Sequence, residues 1–375
     1  MPWQEVTAMS SRKDFVVGAN QEGANIRQLC KDFQITPRTG YKWLDRYRTL
    51  GDVGLADRSR RPQRSPRRTP LLIEEAVLTL RREHPAWGAR KLHACLVDKV
   101  ADLPGASTLE AILQRAGAVD PREASKHRAF QRFEHAHPNQ LWQADFKGHV
   151  PLASGRCHPL TVLDDHSRYS LGVAACADET TETVQTHFTA FFRAYGLPER
   201  ILLDNGAPWG GDSDSRYTVL TAWLLRLDIA VSHGRPYHPQ TQGKDERFNR
   251  TLLDELLGDR CYLDLVGCQA AFDAWRTMYN HQRPHQALDY AVPASRYTVS
   301  PRSMPSTLPP ITYDTPFQVR RVQGKGEISF QSRTFVIGRA FRGQPVGLRP
   351  TSPDGHWDVY FCQELIKTID LRATS

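Results

Sequence analysis

From Asn139 onward the apolar residues stop recurring at helical spacing and gather into short runs. LWQADFKGHV, HPLTVLDDHSRY and SLGVAACA read as three strands separated by turn signals, ETTETVQTHFTAFFRAYG as a helix and ERILLDNG as a buried strand. TVLTAWLLRL follows as a helix and DIAVSH as a short strand. Three strands, a helix and then alternating strands and helices call for an α/β layer with a mixed sheet. A different pattern closes the chain. FQVRRV, EISF, TFVIG, PVGLR, HWDVYF and LIKTI are strand-like pieces set between Gly and Pro turns, which predicts a small β-barrel over residues 310–372.

The first third is helical and basic. NIRQLCKDFQITPRTGYKWLDRYRTL reads as two helices broken at Gln34-Ile35, with Thr36 as N-cap and Pro37 in the first helical position. Tyr41, Leu44 and Tyr47 are expected on the inner face of the second helix, and Arg38, Lys42 and Arg46 recur on another side. That is the form of a helix-turn-helix with a basic recognition helix. Arg58, Arg60, Arg61, Arg64, Arg67 and Arg68 then fall within eleven residues interrupted by prolines, a stretch that cannot pack a core and is suited to tracking phosphates. Residues 71–117 repeat the helical logic, with a break at His84-Pro85, Ser107 expected to cap the last helix and Gly117 to end it.

Charge follows the same division. The net +8 of the chain lies entirely within residues 1–140, and residues 141–375 balance. A basic arm on a neutral body suits a protein that holds a polyanion with one part and acts on it with another. No apolar run approaches the roughly 18 residues of a membrane span, and the N-terminus has no secretory-signal pattern, so a cytoplasmic protein is expected. The seven cysteines are scattered and include no CxxC pair, which indicates neither a disulfide framework nor a zinc knuckle. With no GxxxxGK[ST] loop, no nucleotide cofactor is expected.

Three carboxylates are placed to meet. Asp145 lies late in the first strand, Asp204 follows a buried strand, and Asp245 and Glu246 begin the helix after GRPYHPQTQG. Carboxylates grouped this closely repel unless a cation sits among them, and all-oxygen donors suit Mg²⁺ or Mn²⁺. Two such ions could support in-line attack on a phosphodiester. Helical spacing does not choose between Asp245 and Glu246: glutamate has the longer reach, aspartate suits a first turn. Asp164 and Asp165 form another acidic pair, but at a strand turn. His233 and His238 lack a third soft ligand at metal spacing, and Pro239 and Gly243 read as loop residues.

WQADFKG, DDHSRY, LLDNG, HPQTQGKDERFNRTL and YNHQRPHQALDY, in that order, resemble the catalytic core of the DDE transposases of bacterial insertion sequences, relatives of retroviral integrases. The upstream HPAWGARKL and the tandem helix-turn-helix arrangement are similar to the same family. The resemblance implies a ribonuclease H-like core over 139–300. It maps Asp145, Asp204 and, through the pattern G-K-x-E-R, Glu246 onto a catalytic, metal-binding triad. Lys244 and Arg247 are then expected phosphate contacts. Helix-turn-helix units over 1–56 and 70–120, joined by an arginine-rich linker over 57–69 and a basic linker over 121–138, would read the element's ends. The implied activity is cleavage at those ends followed by 3′-hydroxyl attack on target DNA, and the implied partners are double-stranded DNA and further copies of the chain. Two readings compete with it: a DNA-binding regulator with a decayed core, and a structure-specific nuclease on the same fold. Between Asp204 and Glu246 the chain is somewhat longer than the family's usual interval, and GAPWGGDSDSRY has the composition of a surface insertion.

Overall fold

The computed structural model describes residues 7–58, 68–119, 134–210, 216–234, 243–258, 260–352 and 354–372. The chain divides into two compact units, Met1–Arg68 and Thr69–Ser375.

In the first unit, helices α1 (Ala8–Ala19), α2 (Ile26–Asp32) and α3 (Pro37–Leu50) close around Phe15, Val16, Cys30, Trp43, Leu44 and Leu55. The break between α2 and α3 turns on Gln34, at φ 53°. The side chain of Thr36 accepts from the backbone N–H of Thr39, and Pro37 sits in the first turn. Helix α1 is an addition to the expected pair. Tyr41 is half exposed, and Trp43 takes the inner position in its place. Close approach of α2 and α3 depends on Gly40, where a Cβ would lie 2.5 Å from the Cys30 sulfur.

The second unit opens with α4 (Leu71–Glu83), α5 (Ala89–Leu96) and α6 (Ala106–Arg115), packed through Val77, Trp87, Leu92, Leu109 and Ile112. Ser107 does not cap α6: Gly105 holds that position and makes no side-chain cap. Beyond these helices lies a six-stranded mixed sheet. Its strands are β1 (Leu141–Phe146), β2 (Val150–Pro151), β3 (Arg156–Asp164), β4 (Ser170–Cys176), β5 (Arg200–Leu203) and β6 (Ala230–His233). β3 pairs antiparallel with β1, β2 and β4, whereas β1–β5 and β5–β6 are parallel.

Helices cover both faces, which is why these strands read as nearly continuous apolar runs. Against one face, α7 (Thr181–Tyr195) and α8 (Val219–Arg226) bring Phe188, Phe192, Leu220 and Leu224 onto Trp142, Leu160 and Val162. Against the other, α9 (Gly243–Leu252) and α10 (Leu265–His281) bring Phe248, Leu252, Phe272 and Trp275 onto Leu163 and Val173. α9 runs into a wider π-helical turn at Leu253–Leu257, closed by the Gly258 N–H donating to the Leu253 carbonyl at 2.8 Å.

The C-terminal strands form where the turns predict them but do not close into a barrel. Strands β7 (Gln318–Arg321), β10 (Pro345–Pro350), β11 (His356–Phe361) and β12 (Glu364–Asp370) make an open antiparallel sheet in the order β12-β11-β10-β7. β8 (Glu327–Phe330) and β9 (Arg333–Val336) form a separate two-stranded ribbon. Val346, Leu348, Val359 and Phe361 of the sheet meet Ile328 and Phe330 of the ribbon in one core, so the pieces satisfy each other by packing rather than by closure. Among the described residues no helix is long and apolar enough to cross a membrane.

Candidate active site

β1 and β5 run parallel with Gln143 opposite Leu202, and the next residues along each strand bring Asp145 and Asp204 to neighbouring positions. Burial first, and then the charge of Asp204, pushes the Asp145 carboxyl up to about 6. Helix α9 packs against β1 from the other side. Asn249 Nδ2 donates to Asp145 Oδ2 at 3.1 Å, and the single proton of the Thr161 hydroxyl is within reach of the Asp145 carbonyl at 3.1 Å and of Asn249 Oδ1 at 3.4 Å. Asn249 and Thr161 therefore fix how Asp145 is presented. Sequence reading missed both, although Asn249 lies one helical turn after Glu246.

The first turn of α9 turns Asp245, rather than Glu246, toward Asp145. Asp245 is buried, within hydrogen-bonding reach of Asp145, and its Oδ1 has no partner. Burial, then the charges of Asp145 and Glu246, raise its carboxyl well above the ordinary range, while Lys147 acts in the opposite sense. Glu246 and Asp204 are exposed. The donors suit a hard divalent cation: all are carboxylate oxygens, two of them repel, and one buried oxygen is unpartnered. Among the described residues, however, no group of three His, Cys, Asp or Glu side chains is arranged to hold a metal ion.

α9 is tethered by its second residue. Lys244 Nζ donates to Asp165 Oδ2 at 2.5 Å, and Asp165 is itself buried. Gln143 Nε2 donates to the other oxygen of Asp165 at 2.8 Å. Asp164 accepts from the Ser167 N–H and hydroxyl and from the Asn139 N–H, which ties the turn after β3. The acidic pair of DDHSRY is thus engaged in the fold, and Lys244, expected at phosphate, has an internal partner.

The other expected contacts divide by exposure. Arg38, Lys42 and Arg58 are exposed, Arg46 is half-buried, and the cations of Arg12, Lys42 and Arg46 all lie over the Trp43 ring at 4.1, 4.6 and 5.0 Å. Arg247 is exposed beside Glu246. Arg60, Arg61, His238 and Pro239 lie outside the described residues. His233 Nδ1 hydrogen-bonds the Asp204 carbonyl at 3.0 Å, and Gly243 is the first residue of α9 rather than a loop residue.

Comparison with known proteins follows the same order along the chain. Residues 16–56 and 39–113 match homeodomain-like domains, 135–239 and 227–293 match integrase core domains, and 317–375 match the IS481 family transposase C-terminal domain. An insertion element IS407 protein of Burkholderia multivorans is 26% identical over 60% of this chain and 79% of its own length. An insertion element IS476 protein of Xanthomonas euvesicatoria is 25% identical over 59% of this chain, and the match spans 63% of that protein. Among solved structures, the simian T-cell lymphotropic virus intasome in complex with PP2A regulatory subunit B56 gamma aligns over 79% of this chain and all of its own, at 16% identity and a TM-score of 0.37. The HTLV-2 integrase catalytic core domain in complex with magnesium aligns over 44% of this chain and all of its own, at 19% identity and a TM-score of 0.32. Homeodomain-like domains, an integrase core domain and an IS481 family transposase C-terminal domain thus succeed one another on this chain, which is similar in sequence to proteins of bacterial insertion elements.

Proposed function

We propose that the chain cleaves DNA at the ends of its element and joins the freed 3′-hydroxyl ends to target DNA, with Asp145, Asp204 and Glu246 as the carboxylates that hold Mg²⁺ or Mn²⁺. The observation that carries this reading is the meeting of Asp145 and Asp204 at adjacent parallel strand positions, with α9 crossing against them. When bound, such ions activate a water or 3′-hydroxyl and stabilise the leaving oxygen. The protein's own part is positional. Asn249 orients the Asp145 carboxylate, and Lys147 offsets the negative charge of Asp145 and Asp245. In the same reading the helix-turn-helix units bind element ends, the C-terminal sheet binds DNA or another copy of the chain, and the protein works as a dimer or larger assembly on DNA.

One observation favours a variant of this reading: Asp245 is the α9 carboxylate nearest Asp145. The deciding experiment is a cleavage and strand-transfer assay with Mg²⁺ on DNA carrying the element's own ends, comparing wild type, Glu246→Gln and Asp245→Asn. Loss of products in Glu246→Gln, with end binding intact, supports the triad; loss confined to Asp245→Asn transfers the role to the buried neighbour. Specific end binding by the wild type with no product in either divalent metal would reject the catalytic reading in favour of a DNA-binding regulator. Cutting without joining would point to a nuclease.

A further inference from the structure

Helix α3 turns two side chains outward that the basic pattern around them does not explain. Gly40, Trp43 and Leu44 are buried and seat the helix against α1 and α2. With about 3.6 residues per turn, Arg38, Tyr41, Lys42, Asp45 and Thr49 fall on the opposite side. Arg38, Lys42, Asp45 and Thr49 are exposed there, and Tyr41 is 50% exposed. Tyr41 and Asp45 stand one turn apart, which makes their side chains neighbours on this face.

The cations of the unit are drawn away from Asp45. Lys42 and Arg46 lie over the Trp43 ring at 4.6 and 5.0 Å. Arg12 lies over the same ring at 4.1 Å and pairs with Asp57 at 3.0 Å, and Lys13 pairs with Asp52 at 3.0 Å. Among the described residues the Asp45 carboxylate has no hydrogen bond or ion pair, although Lys42 and Arg48 stand three residues to either side of it. An acid at the crest of a face that only tracked phosphates would weaken it, because the carboxylate repels every phosphate it nears. A free carboxylate beside an aromatic ring suits instead a surface of amino groups and methyls, which the major groove of DNA displays. Two amino groups point into that groove, N6 of adenine and N4 of cytosine. Beside N6 adenine carries the N7 acceptor, which repels the second carboxylate oxygen; cytosine presents its amino group beside a carbon. Cytosine is therefore the better partner.

We propose that Asp45 and Tyr41 are sequence-reading residues of α3. Asp45 accepts a hydrogen bond from N4 of a cytosine in the element's end, and Tyr41 packs on the methyl group of a thymine in an adjacent base pair. The inference rests on the reading that the helix-turn-helix units bind element ends. It goes beyond the basic contacts expected of Arg38, Lys42 and Arg46, which as phosphate contacts position the helix without carrying sequence information.

The test uses the full chain, in EDTA so that no chemistry intervenes, and duplexes carrying the element's end with each base pair replaced in turn. Replacement of one C·G pair should weaken wild type about 10- to 100-fold. Asp45→Ala should level the four bases at that pair, and Asp45→Asn should move the preference there to A·T, since an amide can donate to adenine N7 while accepting from N6. At a neighbouring T·A pair, uracil in place of thymine should weaken wild type and Tyr41→Phe about fourfold and leave Tyr41→Ala unaffected. Asp45 variants that tighten or weaken binding to every duplex alike, keeping the base profile of wild type, would overturn the assignment and make Asp45 a solvated acid. A wild-type profile in Tyr41→Ala would overturn the thymine contact, and a wild type without sequence preference would overturn both. Because binding is read without metal, an Asp45-dependent profile in a protein that never cleaves defeats the catalytic reading alone. An active wild type whose preference ignores Asp45 and Tyr41 defeats this assignment alone.

Discussion

Burial and the neighbouring Asp204 make the Asp145 carboxylate costly to keep charged. Burial and then the charge of Asp204 push its carboxyl up to about 6 in the fold, from about 4 in the unfolded chain, so the native state binds the extra proton between these values. Stability contributed by that proton is complete below about 4 and is lost as pH rises through about 6. Asp145→Asn should therefore melt higher than wild type in EDTA at neutral pH, by a few degrees, with the gap closing toward pH 4, as followed by calorimetry across a pH series. Added Mg²⁺ should raise the melting temperature of wild type and leave Asp145→Asn nearly unchanged. Asp145 and Asp204 were legible as neighbours in the sequence because WQADF and LLDNG announce strand ends. Which α9 carboxylate turns inward was not, since Asp245 and Glu246 are one residue apart and both border the apolar face formed by Phe248 and Leu252. Lys244 decides it by reaching Asp165, a contact between residues 79 positions apart.

At the scale of the element, that same contact sets the approach of α9 to the sheet. Lys244→Met leaves the buried Asp165 with an uncompensated charge and should cost about 3–5 kcal/mol in chemical denaturation. The double variant Lys244→Met/Asp165→Asn should recover part of the loss, because neutralising both partners removes the stranded charge; a double variant no more stable than the single would deny the pair its anchoring role. Other elements show where local patterns suffice. α3 begins where Thr36-Pro37 dictates, since a cap and a fixed φ are properties of two adjacent residues. α1 escaped notice because SSRKDFVVGA gathers Phe15, Val16 and Val17 without a clean apolar stripe, and its burial comes from Trp43 and Leu55 far along the chain.

For the molecule as a whole, the first unit has a core of its own, and its described helices need no residue beyond Ala56 to fill it. A fragment of residues 69–375 should consequently keep the cooperative melting of the integrase core while losing affinity for element ends; collapse of that melting would show that the two units fold as one. At this scale the C-terminal strands were readable from their Gly and Pro turns, but closure was not, because it depends on whether the first and last strands pair. They do not. β7 and β12 stand at opposite margins of the four-stranded sheet, and Arg321 on one and Lys367 on the other are exposed. A sheet left open offers its margins to any neighbour, and an exposed cation on each margin opposes pairing with a further apolar strand. Arg321→Val with Lys367→Val should leave the melting temperature in place yet bring turbidity on at lower protein concentration and lower salt, making shelf life, rather than fold, the property those two cations protect.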